Sequence, residues 1–391
     1  MQIKADREIR LLPENLVNRI AAGEVLERPA SAVKELVENS IDAGATQINI
    51  IIEAGGKNLI RIIDDGIGMT QPELELAIQR HATSKIKDND LLELDFFGFR
   101  GEALPSIASV SRMEISSIKK GENEGNKIIL EGGEIKSKEP SPIISGTVIE
   151  IRDLFYATPA RLKFLKTDRT ENHNISDIIK KLAMANPSIG FNLIFDDKKA
   201  ISYQAETGDF LPALQRRLQK ILGQDFIQNS IEINNQRDNN TIQGFCGLPT
   251  YNRSVADWQF FFVNGRAVRD KIFYSSLKIA YKDFLGHGRQ PCAVLFLNTP
   301  KQNVDVNVHP AKAEVRFRFE SEIRSLLIGS VKEAISSAGH RASTETADYA
   351  LSKFNTPNKN TNTNYGGYTK PKQDGFANLV AYKNMITKAV D

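Results

Sequence analysis

A helix-period segment followed directly by two strand-period runs constrains the fold of this chain more than any other feature. Residues 29–44, PASAVKELVENSIDAG, begin with a proline suited to a first helical turn and end at a glycine typical of a helix C-terminus. Residues 48–64, INIIIEAGGKNLIRIID, contain two apolar runs around a Gly-Gly turn, which predicts a strand hairpin. We therefore expect an α/β unit in which a helix precedes paired strands.

The predicted helix has a polar face of unusual composition. At about 100° per residue, its buried stripe consists of Val33, Leu36, Val37, Ser40 and Ile41. Glu35 and Asn39 are four residues apart, so they stack on one face, and Asp42 lies beside them. A solvated surface is the usual explanation of such a face, and the neighbouring motifs weigh against it.

Residues 64–69, DDGIGM, directly follow the second predicted strand. An acid at the end of a strand, followed by Gly-x-Gly, places a carboxylate at the sheet edge beside backbone that a ligand can approach closely. A simple turn explains the same residues equally well. The acid precedes the glycines, so the dinucleotide-binding fingerprint does not apply, and no P-loop motif occurs in the chain.

Residues 80–110, RHATSKIKDNDLLELDFFGFRGEALPSIASV, form a long polar stretch interrupted by glycines. We expect a loop that closes over a pocket and leads into a helix starting near Gly101. The unpaired N–H groups of such a helix favour an anion such as phosphate. The alternative is a plain surface connection.

A second unit is predicted from about Gly208. Its strands flank a helix at residues 269–286, and this order predicts a crossover connection, which is right-handed in nearly all proteins. Residues 303–319, NVDVNVHPAKAEVRFRF, alternate apolar and polar residues and predict two strands around a short loop, followed by a last helix ending near Gly339. We place domains at residues 1–207 and 208–338. The Asn-, Thr-, Lys- and Gly-rich composition beyond them predicts a flexible linker at 339–391.

Composition adds limits on size and class. The 391 residues exceed what one core usually accommodates, and a formal net charge of +3 does not by itself indicate a nucleic-acid-binding protein. Cys246 and Cys292 lack metal-binding spacing, which predicts two buried thiols. No apolar run approaches the roughly 20 residues that span a bilayer, and no secretory signal is present, so we expect a cytoplasmic protein.

A basic stripe is predicted on the helix of the second unit. Lys271, Lys278 and Lys282 fall within about 40° of one another. The opposite side of this helix is apolar and consists of Ile272, Phe273, Leu277, Ala280 and Phe284. With Arg266 and Arg269 these lysines form a candidate DNA-binding surface, for which a solvated face is the default explanation.

Seven sequence blocks occur in an order that is highly specific when they are taken together. They are IAAGEVLERPASAVKELVENSIDAGAT, IIDDGIGM, RHATSKI, GFRGEAL, DLFYATPAR, FVNGR and VDVNVHPAK. From about residue 7 to residue 335 the chain resembles the N-terminal region of the MutL family of DNA mismatch-repair proteins. That family belongs to an ATPase superfamily with gyrase B-type subunits, a heat-shock chaperone class and histidine kinases.

The resemblance implies a fold and a role for individual residues. The fold is a two-layer α/β sandwich ATPase domain of the Bergerat (GHKL) type, then a smaller α/β domain of the ribosomal-S5-like transducer type, then a disordered tail. Glu35 matches the general base that activates water, and Asn39 matches the amide ligand of Mg²⁺. Asp64 matches the acid that accepts a hydrogen bond from the adenine amino group, supported by Thr147. Lys312 matches a lysine that reaches the γ-phosphate from the second domain. Further nucleotide contacts are implied for Gly66, Gly68, Met69, Thr83, Ser84, Lys85, Gly98, Phe99, Arg100 and Gly101.

The implied function is slow hydrolysis of Mg²⁺-ATP, with ATP-driven N-terminal dimerisation that forms a clamp on DNA. The expected partners are single- or double-stranded DNA without sequence preference, a second copy of the chain, the mismatch-recognition protein MutS and a downstream nuclease or helicase. The alternative is a nucleotide-gated DNA-binding scaffold with negligible hydrolysis, against which Glu35 argues. No role is predicted for Glu38 and Asp42 beyond that of polar neighbours, and His309 is interpreted as structural.

Overall fold

The computed structural model describes residues 26–85, 101–305 and 314–354, with side chains described as far as residue 338. The helices in these ranges are α1 (Pro29–Asp42), α2 (Gln71–Ala77), α3 (Ala103–Ser109), α4 (Pro159–Phe164), α5 (Asp168–Ala185), α6 (Phe210–Leu222), α7 (Gln224–Gln228), α8 (Lys271–Ala280) and α9 (Glu320–Phe354). The strands up to residue 203 are β1 (Gln47–Glu53), β2 (Leu59–Asp64), β3 (Arg112–Ile118), β4 (Gly125–Glu131), β5 (Glu134–Ser141), β6 (Gly146–Arg152), β7 (Gly190–Phe195) and β8 (Lys198–Tyr203). The later strands are β9 (Ser230–Arg237), β10 (Asn240–Gly247), β11 (Asn252–Arg253), β12 (Gln259–Val263), β13 (Arg266–Val268), β14 (Gln290–Pro291), β15 (Ala293–Asn298), β16 (Val304–Asp305) and β17 (Arg316–Phe317).

The larger sheet has eight strands in the order β5-β4-β3-β6-β2-β1-β7-β8. β1 and β7 are parallel, and all other neighbours in this sheet are antiparallel. α1 and α5 pack against each other, and their apolar residues join those of the sheet in one hydrophobic core. The result is the two-layer α/β arrangement that the family resemblance implies.

Helix α1 has the predicted buried stripe. Val33, Leu36, Val37 and Ser40 are buried, and Ile41 is half-buried. The helix ends in a Schellman motif, in which the N–H of Gly44 donates to Ile41 O and that of Ala45 donates to Ser40 O. Gly44 has φ of +72°, a conformation that glycine adopts without steric cost.

The predicted hairpin is confirmed as β1 and β2, with Ile50 opposite Ile62. Side chains alternate between the two faces of a strand, and directly opposite residues share a face. The face that packs on the core therefore contains Ile48, Ile50, Ile52, Ile60, Ile62 and Asp64. Asp64 thus occupies a core position, which makes its carboxylate buried.

The second sheet has the strand order β13-β12-β15-β10-β9. Its parallel pair, β12 and β15, is connected through α8, so the predicted crossover is present, and a right-handed path is expected for it. Between the two sheets β8 ends at Tyr203 and α6 begins at Phe210. The domain boundary at residues 207–208 stays a prediction.

Helix α8 is shorter than the sequence predicts. It ends at Ala280 and is followed by turns, where the side chain of Tyr281 is buried and its hydroxyl donates a hydrogen bond to Gly247 O. Lys282 therefore follows the helix instead of extending its basic stripe. Phe284, predicted to lie on the apolar side of the helix, is 42% exposed.

The segment after residue 303 agrees with the sequence only in part. β16 and β17 pair antiparallel, as predicted, but each has two described residues, and the intervening residues 306–313 lie outside the described ranges. Helix α9 continues to Phe354, beyond residue 339, where the sequence predicted the linker to begin. The sequence is compatible with this longer helix, because residues 340–354 contain neither glycine nor proline and Pro357 comes only after its end. The chain divides into a unit ending at His340 and one beginning at Arg341.

The two cysteines are unpaired buried thiols, as predicted. Burial raises the pKa of Cys246 to about 12 and that of Cys292 to about 11. Among the helices of the described ranges, none has the length and apolar character needed to cross a membrane.

Candidate functional site

Three polar side chains lie in a row across neighbouring strands of the larger sheet. Asp64 at the end of β2 is opposite Thr147 of β6, and Thr147 is opposite Ser117 of β3. All three are buried, and directly opposite residues share a face of the sheet. The register therefore places a carboxylate and two hydroxyl groups side by side in an otherwise apolar layer.

The carboxylate of Asp64 is held by helix α1 and by its own turn. Ser40 Oγ donates to Asp64 Oδ2 at 2.7 Å, and the backbone N–H of Gly66 donates to Oδ1 at 3.0 Å. Burial raises the pKa of Asp64, and these hydrogen bonds offset the effect only in part. Because a carboxylate has about four lone-pair sites, Asp64 can also accept a hydrogen bond from the amino group of a ligand.

Ser117 connects the row to the DDGIGM turn. Its Oγ accepts a hydrogen bond from the backbone N–H of Met69 at 2.9 Å. The same oxygen lies 2.8 Å from Thr147 Oγ1 and 3.1 Å from Gly146 O. Ser117 thus holds together Met69 and Thr147, two residues for which the family resemblance implies nucleotide contacts.

Sequence reasoning missed two members of this site. Ser40 was assigned only to the buried stripe of α1, and Ser117 lies on a strand that was not predicted. The signal available for Ser40 was a hydroxyl at a core position, because a buried hydroxyl requires a hydrogen-bond partner. No comparable signal was available for Ser117, since its place depends on the pairing of β3 with β6.

The two adjacent acids of the DDGIGM motif have opposite environments. Asp65 points out of the core and accepts hydrogen bonds from the backbone N–H groups of Thr46 at 2.7 Å and Gln47 at 2.9 Å. It also accepts from the Thr46 hydroxyl. Partial burial alone would raise the pKa of Asp65, but these donors outweigh it and lower the pKa. Asp65 therefore fixes the loop before β1, whereas Asp64 faces the site.

The glycines of the motif are required by close packing within the chain. A Cβ at Gly68, which has φ of +64°, would lie 1.9 Å from Ile118 O, and one at Gly66 would lie 2.9 Å from Ala43 O. The sequence predicts instead that these glycines let the backbone approach a ligand. Intrachain packing explains both glycines, and their contact with nucleotide stays a prediction.

The acidic residues of α1 are paired with lysine in the described part of the chain. Lys34 Nζ lies 2.9 Å from a carboxylate oxygen of Glu38 and 3.5 Å from Glu35 Oε1. Burial alone would lower the pKa of Lys34, but Glu38 and Glu35 outweigh it and raise the pKa. Glu35 remains 18% exposed, so its carboxylate keeps access to water.

A lysine ammonium lies at the predicted metal ligand. Lys85 Nζ donates to Asn39 Oδ1 at 2.8 Å and to Asp42 Oδ2 at 2.6 Å. Two oxygen atoms that bind one cation match the donor type that Mg²⁺ prefers, so these residues fit the predicted metal. Within the described ranges no group of three His, Cys, Asp or Glu side chains suits a metal ion. A metal bound at Asn39 would therefore need most of its ligands from phosphate and water.

The predicted phosphate loop is described only in part. Thr83 and Ser84 are exposed, and Thr83 Oγ1 accepts a hydrogen bond from the backbone N–H of Lys85 at 3.2 Å. Gly101, with φ of +61°, packs on Ala82 and precedes α3, a helix of seven residues that begins at Ala103. Four predicted site residues lie outside the described residues: Gly98, Phe99, Arg100 and Lys312.

The predicted DNA-binding residues fall into two groups. Arg269, Lys271, Lys278 and Lys282 are exposed. Arg266 is half-buried, and Glu38 contributes the strongest attractive charge interaction to it, followed by Asp42 and Glu35. Burial lowers the pKa of Arg266, and these three acids oppose the change. The structure therefore separates Arg266 from the exposed basic residues with which the sequence grouped it.

Two protein-family models match this chain. Residues 27–154 match a model described as histidine kinase-, DNA gyrase B-, and HSP90-like ATPase. Residues 218–336 match a model described as DNA mismatch repair protein, C-terminal domain. Together they cover α1 and strands β1 to β6 of the larger sheet, and the whole second sheet with α8.

Individual relatives agree with the family models. The DNA mismatch repair protein MutL of Rickettsia bellii is 50% identical over 349 residues, which are 89% of this chain and 57% of the relative. The structure of the Aquifex aeolicus MutL ATPase domain complexed with ADP is similar with a TM-score of 0.56 and 26% identity, covering 78% of this chain and 98% of that one. The N-terminal domain of a DNA repair protein is similar with a TM-score of 0.69 and 25% identity, covering 82% and 98%.

The chain spans a little over half the length of the curated relative it matches. The match includes the helix with Glu35 and Asn39, the strand end with Asp64 and the row that contains Thr147 and Ser117. The fold and these comparisons agree with the resemblance seen in the sequence blocks, and the chain therefore belongs to the MutL family of DNA mismatch repair proteins, in the region that carries the GHKL-type ATPase domain.

Proposed function

We propose that this chain binds Mg²⁺-ATP with the adenine base at Asp64 and hydrolyses it slowly with Glu35 as the general base. The observation that carries this proposal is the arrangement of helix α1. Ser40 of α1 donates to Asp64, while Asn39, the adjacent residue, accepts a hydrogen bond from a cationic group. Helix α1 thus contacts both parts of the proposed site: the buried carboxylate of Asp64, which can accept a hydrogen bond from a nucleobase, and the oxygen of Asn39, which can bind a cation.

The adenine contact rests on the acceptor character of Asp64. A buried carboxylate that already accepts from Ser40 and Gly66 has room for the exocyclic amino group of adenine, whereas guanine presents a carbonyl oxygen there. Thr147 and Ser117 supply hydroxyl groups beside it. We therefore expect a strong preference for ATP over GTP.

The catalytic role of Glu35 rests on its position relative to Asn39. The two residues are four positions apart on α1, so their side chains are neighbours on one helix face. A partly exposed carboxylate can accept a proton from a water molecule held beside the phosphates. Asn39 and Asp42 would hold Mg²⁺, which supplies charge neutralisation for the phosphate oxygens when it is bound. Lys312, Thr83, Ser84 and Gly98 to Gly101 are proposed to contact the phosphates on the strength of the family resemblance.

The proposal is tested by separating ATP binding from turnover. Glu35→Ala is expected to retain binding of a non-hydrolysable ATP analogue, measured by calorimetric titration, and to lose phosphate release. Asp64→Ala is expected to lose binding. Glu75→Ala is a matched control, because Glu75 of α2 forms a surface ion pair with Lys138. Turnover in the Glu35 variant equal to that of the wild type would reject the role of Glu35.

We further propose that ATP binding drives association of two chains into a clamp on DNA that relays mismatch recognition by MutS to a downstream nuclease or helicase. The ATPase rate per chain is then expected to rise with protein concentration, and a flat dependence would reject the dimer. Negligible turnover at all concentrations, with ATP-dependent DNA binding retained, would favour the nucleotide-gated scaffold. The cytoplasmic location stays a prediction.

The exposed basic residues of the second sheet region are the proposed DNA-binding surface. Arg269, Lys271, Lys278 and Lys282 are exposed cationic side chains, so the contact is expected to be with phosphates and to weaken steeply with salt. Lys278→Glu is expected to weaken binding to all sequences alike and to lower the salt slope by about 1 to 2. An unchanged slope would place the DNA-binding surface elsewhere.

A further inference from the structure

Glu38 lies on the wrong side of α1 for a buried residue. It follows Val33 by five positions, a rotation of about 140° from that buried residue at the middle of the apolar stripe. Its exposure is nevertheless only 4%. The sheet below α1 cannot cover this position, so another element must do so.

Two elements bound the space beside Glu38, the hairpin between β12 and β13 and helix α5. Glu38 and Lys34 of α1 line a cavity of about 50 Å³ together with Gly265, Arg266 and Ala267 of this hairpin. The remaining lining comes from α5 and consists of Ile178, Lys181, Leu182 and Ala185. The hairpin of the second sheet therefore lies across this cavity from the helix that carries Glu35 and Asn39, and β13 packs on α5.

The turn that presents Arg266 is rigid. Asn264 and Gly265 have φ of +47° and +80°, as in a two-residue type I′ turn, and Val263 pairs with Arg266. The Asn264 side chain donates from Nδ2 to Thr299 O and accepts from Thr299 N, each at 3.0 Å. Arg266 is thereby fixed to the sheet behind it, and a displacement of that sheet moves its guanidinium.

The charge of Arg266 interacts with a stripe of acids on α1. Glu35, Glu38 and Asp42 are spaced i, i+3 and i+7, so they lie on one face of the helix, and all three contribute favourable charge interactions to Arg266. Lys34 pairs with both Glu38 and Glu35. Glu38 therefore interacts with two cations, Lys34 and Arg266. If Arg266 is removed, we expect the balance of the Lys34 ion pairs with Glu38 and Glu35 to change.

We propose that Arg266 is a positioning residue for ATP hydrolysis, which holds Glu38 and Lys34 so that the Glu35-bearing face of α1 keeps its catalytic geometry. It does so without contact to the nucleotide, and it makes turnover sensitive to the position of the second sheet. This proposal rests on the proposed function, because it requires Glu35 to act as the general base. It differs from the sequence-based prediction that Arg266 contacts DNA.

The test separates turnover from binding in the absence of DNA. Arg266→Gln is expected to lower kcat at least tenfold while the dissociation constant for a non-hydrolysable ATP analogue changes less than threefold. Arg266→Lys is expected to lower kcat about threefold, because lysine keeps the charge but lacks the planar fork that can face two acids. If Arg266→Gln does not fold, Arg266→Lys with unchanged kcat overturns the proposal.

A double variant tests the route through Glu38. Arg266→Gln combined with Glu38→Gln removes both charges together, and its kcat is expected to exceed that of Arg266→Gln by at least threefold. Arg216→Gln, which removes an exposed arginine from its pair with Glu206, is expected to keep kcat within twofold of the wild type. Strictly additive effects of the two glutamine substitutions would overturn the proposal.

Other outcomes identify which idea has failed. Wild-type kcat in Arg266→Gln, together with weaker DNA binding, would return Arg266 to the DNA-binding surface and overturn the positioning role alone. Wild-type turnover in Glu35→Ala would overturn the proposed function as well as this inference. Loss of turnover in Glu35→Ala with wild-type kcat in Arg266→Gln would leave the proposed function intact.

Discussion

The ammonium group of Lys85 lies 2.8 Å from the amide oxygen of Asn39, although the two residues are 46 positions apart in the sequence. Asp42 completes this contact from the next turn of α1. Both acceptors are oxygen atoms and the donor is a cation, so Lys85 occupies the place where the proposed function requires Mg²⁺. If Mg²⁺ binds as proposed, it would therefore displace Lys85 from these two oxygens.

Lys85→Gln is expected to lower the Mg²⁺ concentration that half-saturates ATP binding by about fivefold. Release of a partly exposed lysine from Asp42 and Asn39 costs about 1 kcal/mol, which corresponds to that factor. The measurement is a titration with Mg²⁺ at fixed concentration of a fluorescent ATP analogue. Lys136→Gln, in an exposed pair with Glu134, serves as the control, and an unchanged or higher Mg²⁺ midpoint for the Lys85 variant would contradict the displacement.

Asp64→Asn is expected to stabilise the nucleotide-free protein at pH 7. A carboxyl group whose folded-state pKa is raised contributes stability below its usual value of 3.8, and this contribution is lost as pH rises through the folded-state pKa. An asparagine can still accept from Gly66, while Ser40 can accept from its amide and donate to Leu36 O. The difference in unfolding free energy between variant and wild type should therefore grow from pH 4 to pH 7.

Asp65→Asn provides the matched control with the opposite sign. The pKa of Asp65 is lowered, so its contribution to stability is fully present above 3.8 and is lost only as pH falls below that value. The variant should be less stable than the wild type by a constant amount between pH 4 and pH 7. Urea unfolding at several pH values measures both differences, and parallel curves for the two variants would refute the opposite environments of the two acids.

Gly68→Ala is expected to cost about 3 kcal/mol of stability. The positive φ costs an alanine about 1–2 kcal/mol, and its Cβ would also lie 1.9 Å from Ile118 O, which adds overpacking of about 1–3 kcal/mol. Gly121→Ala separates these effects, because Gly121 has φ of +95° with nothing within 4 Å. Equal losses for the two variants in urea unfolding would show that the approach of Gly68 to β3 is not tight.

Arg217→Leu is expected to cost about 3–5 kcal/mol of stability. Arg217 of α6 is fully buried, and its guanidinium donates to four carbonyl oxygens, those of Ala183, Pro187, Ile189 and Gln204. Without it these buried acceptors lose their charged donor. Arg217→Lys is expected to recover only part of the loss, because one ammonium cannot reach all four oxygens.

The neighbouring Arg216 is the control for this prediction. It is 45% exposed and pairs with Glu206, so Arg216→Gln should cost no more than about 1 kcal/mol. Thermal and urea unfolding measure both variants. A loss for Arg217→Leu as small as that for Arg216→Gln would show that water replaces the guanidinium.

Local patterns in the sequence were sufficient for the elements that carry the site. The helical period of residues 29–44 predicted which side of α1 is buried, and the two apolar runs predicted the hairpin of β1 and β2. These predictions succeeded because side-chain periodicity and the conformational preferences of Pro29 and Gly44 act within a few residues. The shared face of Glu35 and Asn39 follows from the same helical geometry.

Only the tertiary structure decided which distant residues meet. The row of Asp64, Thr147 and Ser117 depends on strand register, which no local pattern contains. The same holds for Lys85 at Asn39 and for Arg266 beside Glu38, since burial by an element far along the chain leaves no periodic signal. The sequence of a helix with a polar face is the same whether water or another sheet covers that face. Only the packed fold distinguishes these two cases.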